Sequence, residues 1–320
     1  MLDLWYVPNA NLLAKYQIVF DIEECDIAVI PIDIAKYDNS GNQKKLFSFI
    51  SEANKFGKKI WIYSAGDFGR TIKNTTNVYT FRLGGFDSKL EMKTFIFPSF
   101  ISDPLQYLNT EFSPLEKKEM PQIGFVGHAN NSTEKRIKEV LNYFKYNTKR
   151  FLAKVRTDYQ PFFPSSLKRF QLLKKLEKSN LIKTDFIYRT SYRAGVQNDD
   201  DLRKTTTEFF ENIAHNPYTF CMRGAGNFSV RFYETLALGR IPIVVDTDFR
   251  LPFADHIDWK KHCLICKEEN IVEAFINFHQ KISSNNFEEM QKNNRKLWET
   301  HLEREAYFLQ IYSIFLENKK

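Results

Sequence analysis

One stretch constrains this chain more than any other: YTFCMRGAGNFSVRFYETLALGRIPIVVD, residues 218–246. An apolar run of strand length (218–222) is broken by Gly224 and Gly226. A helical pattern follows over about 230–238 and stops at Gly239, and a second apolar run (241–245) closes on Asp246. Backbone N–H groups at the start of such a helix have no intrahelical partner and carry partial positive charge, so the unit is suited to holding phosphate.

Two phosphate ligands compete for it. As a dinucleotide site, Gly224, Gly226 and Ser229 take the three glycine positions and Asp246 stands where a ribose-binding acid is expected, which describes a FAD- or NAD-dependent oxidoreductase. Against this, the third glycine is a serine, Tyr233 stands where a small helix residue is favoured, and Pro242 removes a donor from the second strand. As a nucleoside-diphosphate clamp, the loop amides and the Ser229 hydroxyl meet the phosphates while Arg231 adds a charged fork. Glu234 lies one turn further on the same face. A carboxylate repels phosphate but can accept from two neighbouring ribose hydroxyls. The plainer alternative is an Arg231–Glu234 ion pair on a solvated helix face, which is worth little.

The flanking sequence supplies an α/β frame. Apolar runs of strand length at 26–34 and 58–67 are separated by a helical stretch around 44–56, the alternation of βαβ units and a parallel sheet. VYTFRL and TFIFPSF add two further strands. Charge and two prolines over 110–122 mark a linker, after which a strand (122–126), a cap-rich loop (127–132) and a helix (134–144) restart the alternation. Residues 149–183 are basic and aromatic without an assignable element, and 286–316 are helical in pattern. The expected organisation is an N-terminal Rossmann-like domain over 1–118, a second over 119–300, and a C-terminal helix over 301–320.

Composition narrows the function classes. With 320 residues, 43% hydrophobic and 27% charged, the chain is globular. It has neither an apolar run of membrane-span length nor a signal-peptide pattern, so a cytoplasmic protein is expected. Four cysteines are too few for a disulfide framework, and HCLIC (His262, Cys263, Cys266) lacks a second Cys/His pair at zinc spacing. A net charge of +7 and a pI near 9.0 favour anionic partners. The lysines are scattered and no nucleic-acid motif accompanies them, so nucleic acid is not expected.

FCMRGAGNFSVRFYETLALGRIPIVV resembles the core motif of the exostosin-like glycosyltransferases of GT47 type: a strand ending Phe-Cys, a glycine loop, Ser-x-Arg, an acid three residues later, and Gly-x-Ile-Pro. LPFADHIDWKKHCLI is similar to the family's Leu-Pro-Phe and Ile-Asp-Trp segments, IWIYSAGDFG to its strand ending Asp-x-Gly, and FIFPSF to its later strand with proline. FVGHANNSTEKRIKEVL resembles the opening of its second domain. The likeness covers 59–300 in outline and is dense from about 217 to 260. Arg240 stands where the family often has Cys. The membrane anchor usual in eukaryotic members is missing, which implies a bacterial or viral-style soluble enzyme.

By this resemblance the fold is the glycosyltransferase B architecture, two Rossmann-like domains facing a central cleft, with the donor on the C-terminal domain and the acceptor on the N-terminal one. The implied activity is inverting transfer from a nucleotide sugar, most often UDP-linked, to a glycan or glycolipid, in surface polysaccharide or glycoconjugate synthesis. No further cofactor is implied. Such an enzyme is cytoplasmic, with peripheral association at the inner face of a membrane as one expectation.

The implied single displacement needs charge stabilisation on the departing diphosphate and a base near the acceptor hydroxyl. Arg231, Arg223 and the amides from Gly224 to Ser229, Asn227 among them, suit the first task. Arg189 and Arg193, in YRTSYRAG, can enter the cleft from a neighbouring loop. Asp67, where a strand turns into the cleft, is the first candidate base, with helix capping or turn ordering as its alternative. His128 is the second, with a solvent-facing role as its alternative. The triplet Asp199, Asp200, Asp201 resembles the metal-binding motif of the other major glycosyltransferase fold but reads here as an acidic loop before a helix. Helix amides and arginine can replace a cation, so metal-independent catalysis is expected.

Overall fold

The computed structural model describes residue 4 and residues 7–38, 40–73, 75–189, 196 and 198–317. Strands β1 (Ile27–Asp33), β2 (Lys59–Ser64), β3 (Val78–Arg82) and β4 (Thr94–Ile96) lie side by side in that order, all parallel. Pro31 lies in edge strand β1, where the register shifts between Val29 and Asp33; an edge tolerates a residue that cannot donate. Helices α1 (Ala10–Leu13) and α2 (Ser40–Lys55) accompany this sheet, whereas Leu105 of α3 (Pro104–Leu108) packs with Ile213 and Leu238 of the second unit. Leu46, Ile50 and Ala53 of α2 pack against Ile60 and Ile62 on one face.

The second sheet contains β5 (Gln122–His128), β6 (Lys183–Arg189), β7 (Tyr218–Cys221), β8 (Ile241–Val245) and β9 (Leu264–Cys266), in the order β6-β5-β7-β8-β9 and again all parallel. Its helices are α4 (Thr133–Phe151), α5 (Ser165–Glu177), α6 (Asp199–His215), α7 (Val230–Ala237), α8 (Ile271–Lys281) and α9 (Ser284–Leu297). Phe125, Tyr218, Phe220, Ile243, Phe275 and Phe287 form a dry core, each such side chain contributing about 1.5–3 kcal/mol by leaving water. Pro242 pairs with Thr219 of β7, but β9 joins β8 only from Ile243 onward, so the proline falls outside the second ladder.

Chain order reverses at β5, which has β6 on one side and β7 on the other. Strands β5 and β7 pair only at Ile123/Tyr218 and Gly124/Thr219. Their carboxyl ends are therefore unpaired with each other and leave a crevice, the kind of switch point at which open α/β sheets bind ligands.

Three segments differ from the sequence-based expectation. Helix α5 occupies the basic, aromatic stretch that gave no assignable element. Asp199–Asp201 form the first turn of α6 rather than a loop before it: Asn198 caps the helix by accepting from the Asp201 N–H at 2.8 Å, and acids there complement the helix dipole. The C-terminal helix α10 (Arg304–Glu317) does not stand apart. Its Tyr307, Phe308, Ile311 and Phe315 join Trp61, Phe81 and Phe97 on the first sheet, and the Tyr307 hydroxyl donates to the Ile96 carbonyl at 3.1 Å.

The two sheets are pinned together near their carboxyl ends. Buried Arg82 of β3 pairs with Asp158 at 2.6 Å and donates to the Phe68 carbonyl at 2.6 Å, and Arg250 pairs with Asp87 at 2.5 Å. No helix among the described residues is long and apolar enough to cross a membrane.

Candidate functional site

The loop between β7 and α7 is shaped by close approach. A Cβ on Gly226 would collide with the Asp67 carbonyl oxygen, while one on Gly224 would meet nothing within 4 Å. Gly226 thus lets the loop after β2 lie against the phosphate-type loop, and Gly224 faces open space. The Asn227 side chain is fully engaged: Nδ2 donates to the carbonyls of Gly85 (3.1 Å), Thr247 (2.9 Å) and Asp248 (2.9 Å), and Oδ1 accepts from Thr247 Oγ1 at 2.7 Å. Only its main-chain amide remains for a ligand; the side chain positions the loop. Ser229 is the N-cap of α7, yet its hydroxyl makes no capping bond, which leaves that donor available.

Arginines converge on the crevice. Arg231 Nη2 donates to the Val126 carbonyl at 2.6 Å, the guanidinium lies over the Phe125 ring at 4.3 Å, and a Cβ on Gly127 would meet Nη2 at 2.7 Å. The missing side chain at 127 is what admits Arg231 between the strand ends. Arg223 lies over Phe163 at 4.7 Å and donates to the Ala225 carbonyl at 2.7 Å. A third, Arg169 of α5, bridges the two strand ends by donating to the carbonyls of His128 (2.7 Å) and Arg223 (3.2 Å). Burial lowers all three from the usual guanidinium range, Arg169 and Arg223 to about 10.

None of these three arginines pairs with a carboxylate among the described residues, and the Nε of each is buried without a hydrogen-bond partner. Buried positive charge that no ion pair offsets is costly; Glu139 and Glu234 act on Arg169 and Arg231 only through space. Arg169 was not legible as a site residue. Its KRF context reads as one more basic patch, and only the strand ends it bridges reveal it.

Glu234 keeps a solvent-accessible edge but sits deep in the protein, and burial raises its carboxyl to about 7, against a smaller opposing effect of Arg231. No Arg231–Glu234 ion pair forms among the described residues, so the plain surface-pair alternative does not describe this helix. Arg189 pairs with Glu208 at 2.6 Å and also donates to the Thr205 carbonyl, a structural anchoring that leaves it close enough to Arg231 to lower that group further. Arg193 lies outside the described residues.

Of the two candidate bases, Asp67 is exposed in the turn after β2 and no helix follows for it to cap. The structure brings its backbone against Gly226. His128 ends β5, and its Nδ1 lies 3.1 Å from Ser166 Oγ, on the arginine side of the crevice. Asp246, the acid of the dinucleotide reading, is exposed and accepts from the Asp248 N–H at 3.0 Å within its own turn. In the HCLIC run, His262 Nδ1 meets Asn294 at 2.9 Å and the Cys263 and Cys266 thiols donate to main-chain carbonyls.

Residues 126–282, which contain this crevice and its loop, match the exostosin GT47 domain. That stretch, just under half of the chain, is what is similar to the exostosin-like GT47 glycosyltransferases. Exostosin-2 of Homo sapiens is 33% identical over 100 residues, which are 31% of this chain and 13% of that protein. A probable beta-1,4-xylosyltransferase, IRX10 of Arabidopsis thaliana, is 30% identical over 67 residues, 21% of this chain and 16% of its own length. The chain therefore spans a small fraction of the curated GT47 relatives it matches. Among solved structures, S. aureus TarM aligns over 89% of this chain and 50% of its own, at 10% identity and a TM-score of 0.39. The residues that match the GT47 domain fall on the second of the two parallel-sheet units.

Proposed function

We propose that this chain is an inverting glycosyltransferase that moves a sugar from a nucleoside-diphosphate donor, UDP-linked by family resemblance, to a hydroxyl of a glycan or glycolipid. The observation that carries the reading is the set of three arginines at the β5/β7 crevice whose Nε atoms are buried without partners and which form no ion pair among the described residues, with Glu234 one helical turn from Arg231 and not ion-paired to it. A diphosphate supplies the missing negative charge, and the two hydroxyls of its ribose satisfy Glu234.

In this reading the amides from Gly224 to Ser229 and the Ser229 hydroxyl bind the phosphates, with Arg231 and Arg223 providing charge and Arg169 holding the strand ends in place. The acceptor oxygen attacks the anomeric carbon on the face opposite the nucleotide. Its proton passes to the Asp67 carboxylate, and the electron pair of the breaking bond goes to the phosphate oxygen, where fixed cations stabilise it without reorganisation. Asp67 is favoured over His128 because it comes from the opposing unit, beside the donor loop. A panel of nucleotides and nucleotide sugars screened by melting shift, followed by transfer assays with the best donor, tests the reading. A specific nucleoside diphosphate should stabilise the protein and its sugar conjugate should be turned over; no stabilisation by any nucleotide would refute it.

A further inference from the structure

Helix α4 is amphipathic the wrong way round. None of its residues is fully buried, and Ile137, Leu141, Phe144 and Phe151 are 54%, 63%, 63% and 89% exposed. Their spacing of four, three and seven residues sets them on one face. Leu152, 55% exposed, extends the stripe past the helix end. The inward face is instead half-buried and polar: the Tyr143 hydroxyl meets that of Tyr159 at 2.8 Å, and the Tyr146 hydroxyl meets Thr157 at 2.5 Å. Along one flank of the apolar stripe run Lys138, Lys145 and Lys149, all exposed. In all α4 carries six basic and two acidic side chains, of which Glu139 is half-buried and Glu134 lies in the first turn.

We propose that α4 docks on an anionic phospholipid surface, its aromatic and aliphatic stripe entering the headgroup boundary and its lysines meeting lipid phosphates. An exposed apolar stripe of this length calls for a cover, and a row of like charges selects a negatively charged one. A second copy packed stripe to stripe would bring the same lysines together, which disfavours self-association. Tyr146 of α4 also packs edge-on against Phe68, the neighbour of Asp67, at 4.8 Å. The turn that carries Asp67 therefore lies behind the docking helix, on its side away from the bilayer. The docking itself does not depend on the proposed reaction.

The test is flotation of the full chain with vesicles of phosphatidylcholine alone or mixed with phosphatidylglycerol. Wild-type protein should float with the mixed vesicles, and molar salt should release it. Leu141→Asp with Phe144→Asp, and separately Lys138→Glu, Lys145→Glu and Lys149→Glu combined, should each weaken partition by about tenfold or more. These positions are exposed, so melting temperatures should stay near wild type. Failure of the wild type to float, partition of the variants equal to wild type, or a wild-type dimer that the Leu141/Phe144 variant converts to monomer would overturn the proposal.

Discussion

The carbonyl oxygen of Asp67 occupies the space that a side chain at position 226 would need. The candidate base and the glycine loop are thereby held as one unit, although they come from opposite sheets. Gly226→Ala should push the two loops apart at a cost of about 1–3 kcal/mol. Calorimetry should show nucleotide affinity falling by about tenfold or more, a larger loss than the modest drop in melting temperature would explain.

Arg231, Arg223 and Arg169 bring to the crevice three cations that form no ion pair among the described residues. Replacing Arg231 with Met removes a buried charge while roughly keeping volume, so the unliganded protein should melt at or above the wild-type temperature. Pyrophosphate at about 100 times its dissociation constant should stabilise the wild type by about 2.7 kcal/mol. That shift should vanish in Arg231→Met and survive EDTA in the wild type, since fixed cations supply the charge. Both are read by differential scanning fluorimetry.

Burial lifts the Glu234 carboxyl to about 7, above its ordinary 4.5. A group raised in the folded state favours folding below its unfolded pKa, and that contribution is lost as pH rises through the folded value. Glu234→Gln removes this titration. The melting-temperature difference between variant and wild type should therefore shift in favour of the variant as pH increases from about 5 to about 8. A difference that stays constant across this range would mean that Glu234 ionises as an ordinary surface acid.

Phe308 of α10 packs into the aromatic core of the first sheet beside Phe97, with ring centroids 5.8 Å apart. Phe308→Ala should cost about 3–5 kcal/mol in denaturant unfolding. If α10 were a dispensable tail, the loss would be close to zero.

Much of this was legible in the sequence because it depends on local pattern. The strand, glycine loop, helix and strand at 218–246 form as read, and the apolar runs at 26–34 and 58–67 become β1 and β2. What stayed hidden depends on distant contacts. Nothing local in α10 says that Tyr307 and Phe315 belong beside Trp61, more than 240 residues away. Arg169 looks like any lysine-rich helix residue until β5 and β7 part and it bridges their ends. Asn227 was readable as a loop residue, but its side chain is taken up by Gly85, Thr247 and Asp248, which only the fold brings together.

The most direct test of the site is a crystal structure with UDP. The diphosphate should lie over the amides from Gly224 to Ser229 with an oxygen bonded to Arg231 or Arg223, and the ribose hydroxyls should contact Glu234. UDP bound elsewhere, or a crevice still empty at saturating nucleotide, would contradict it.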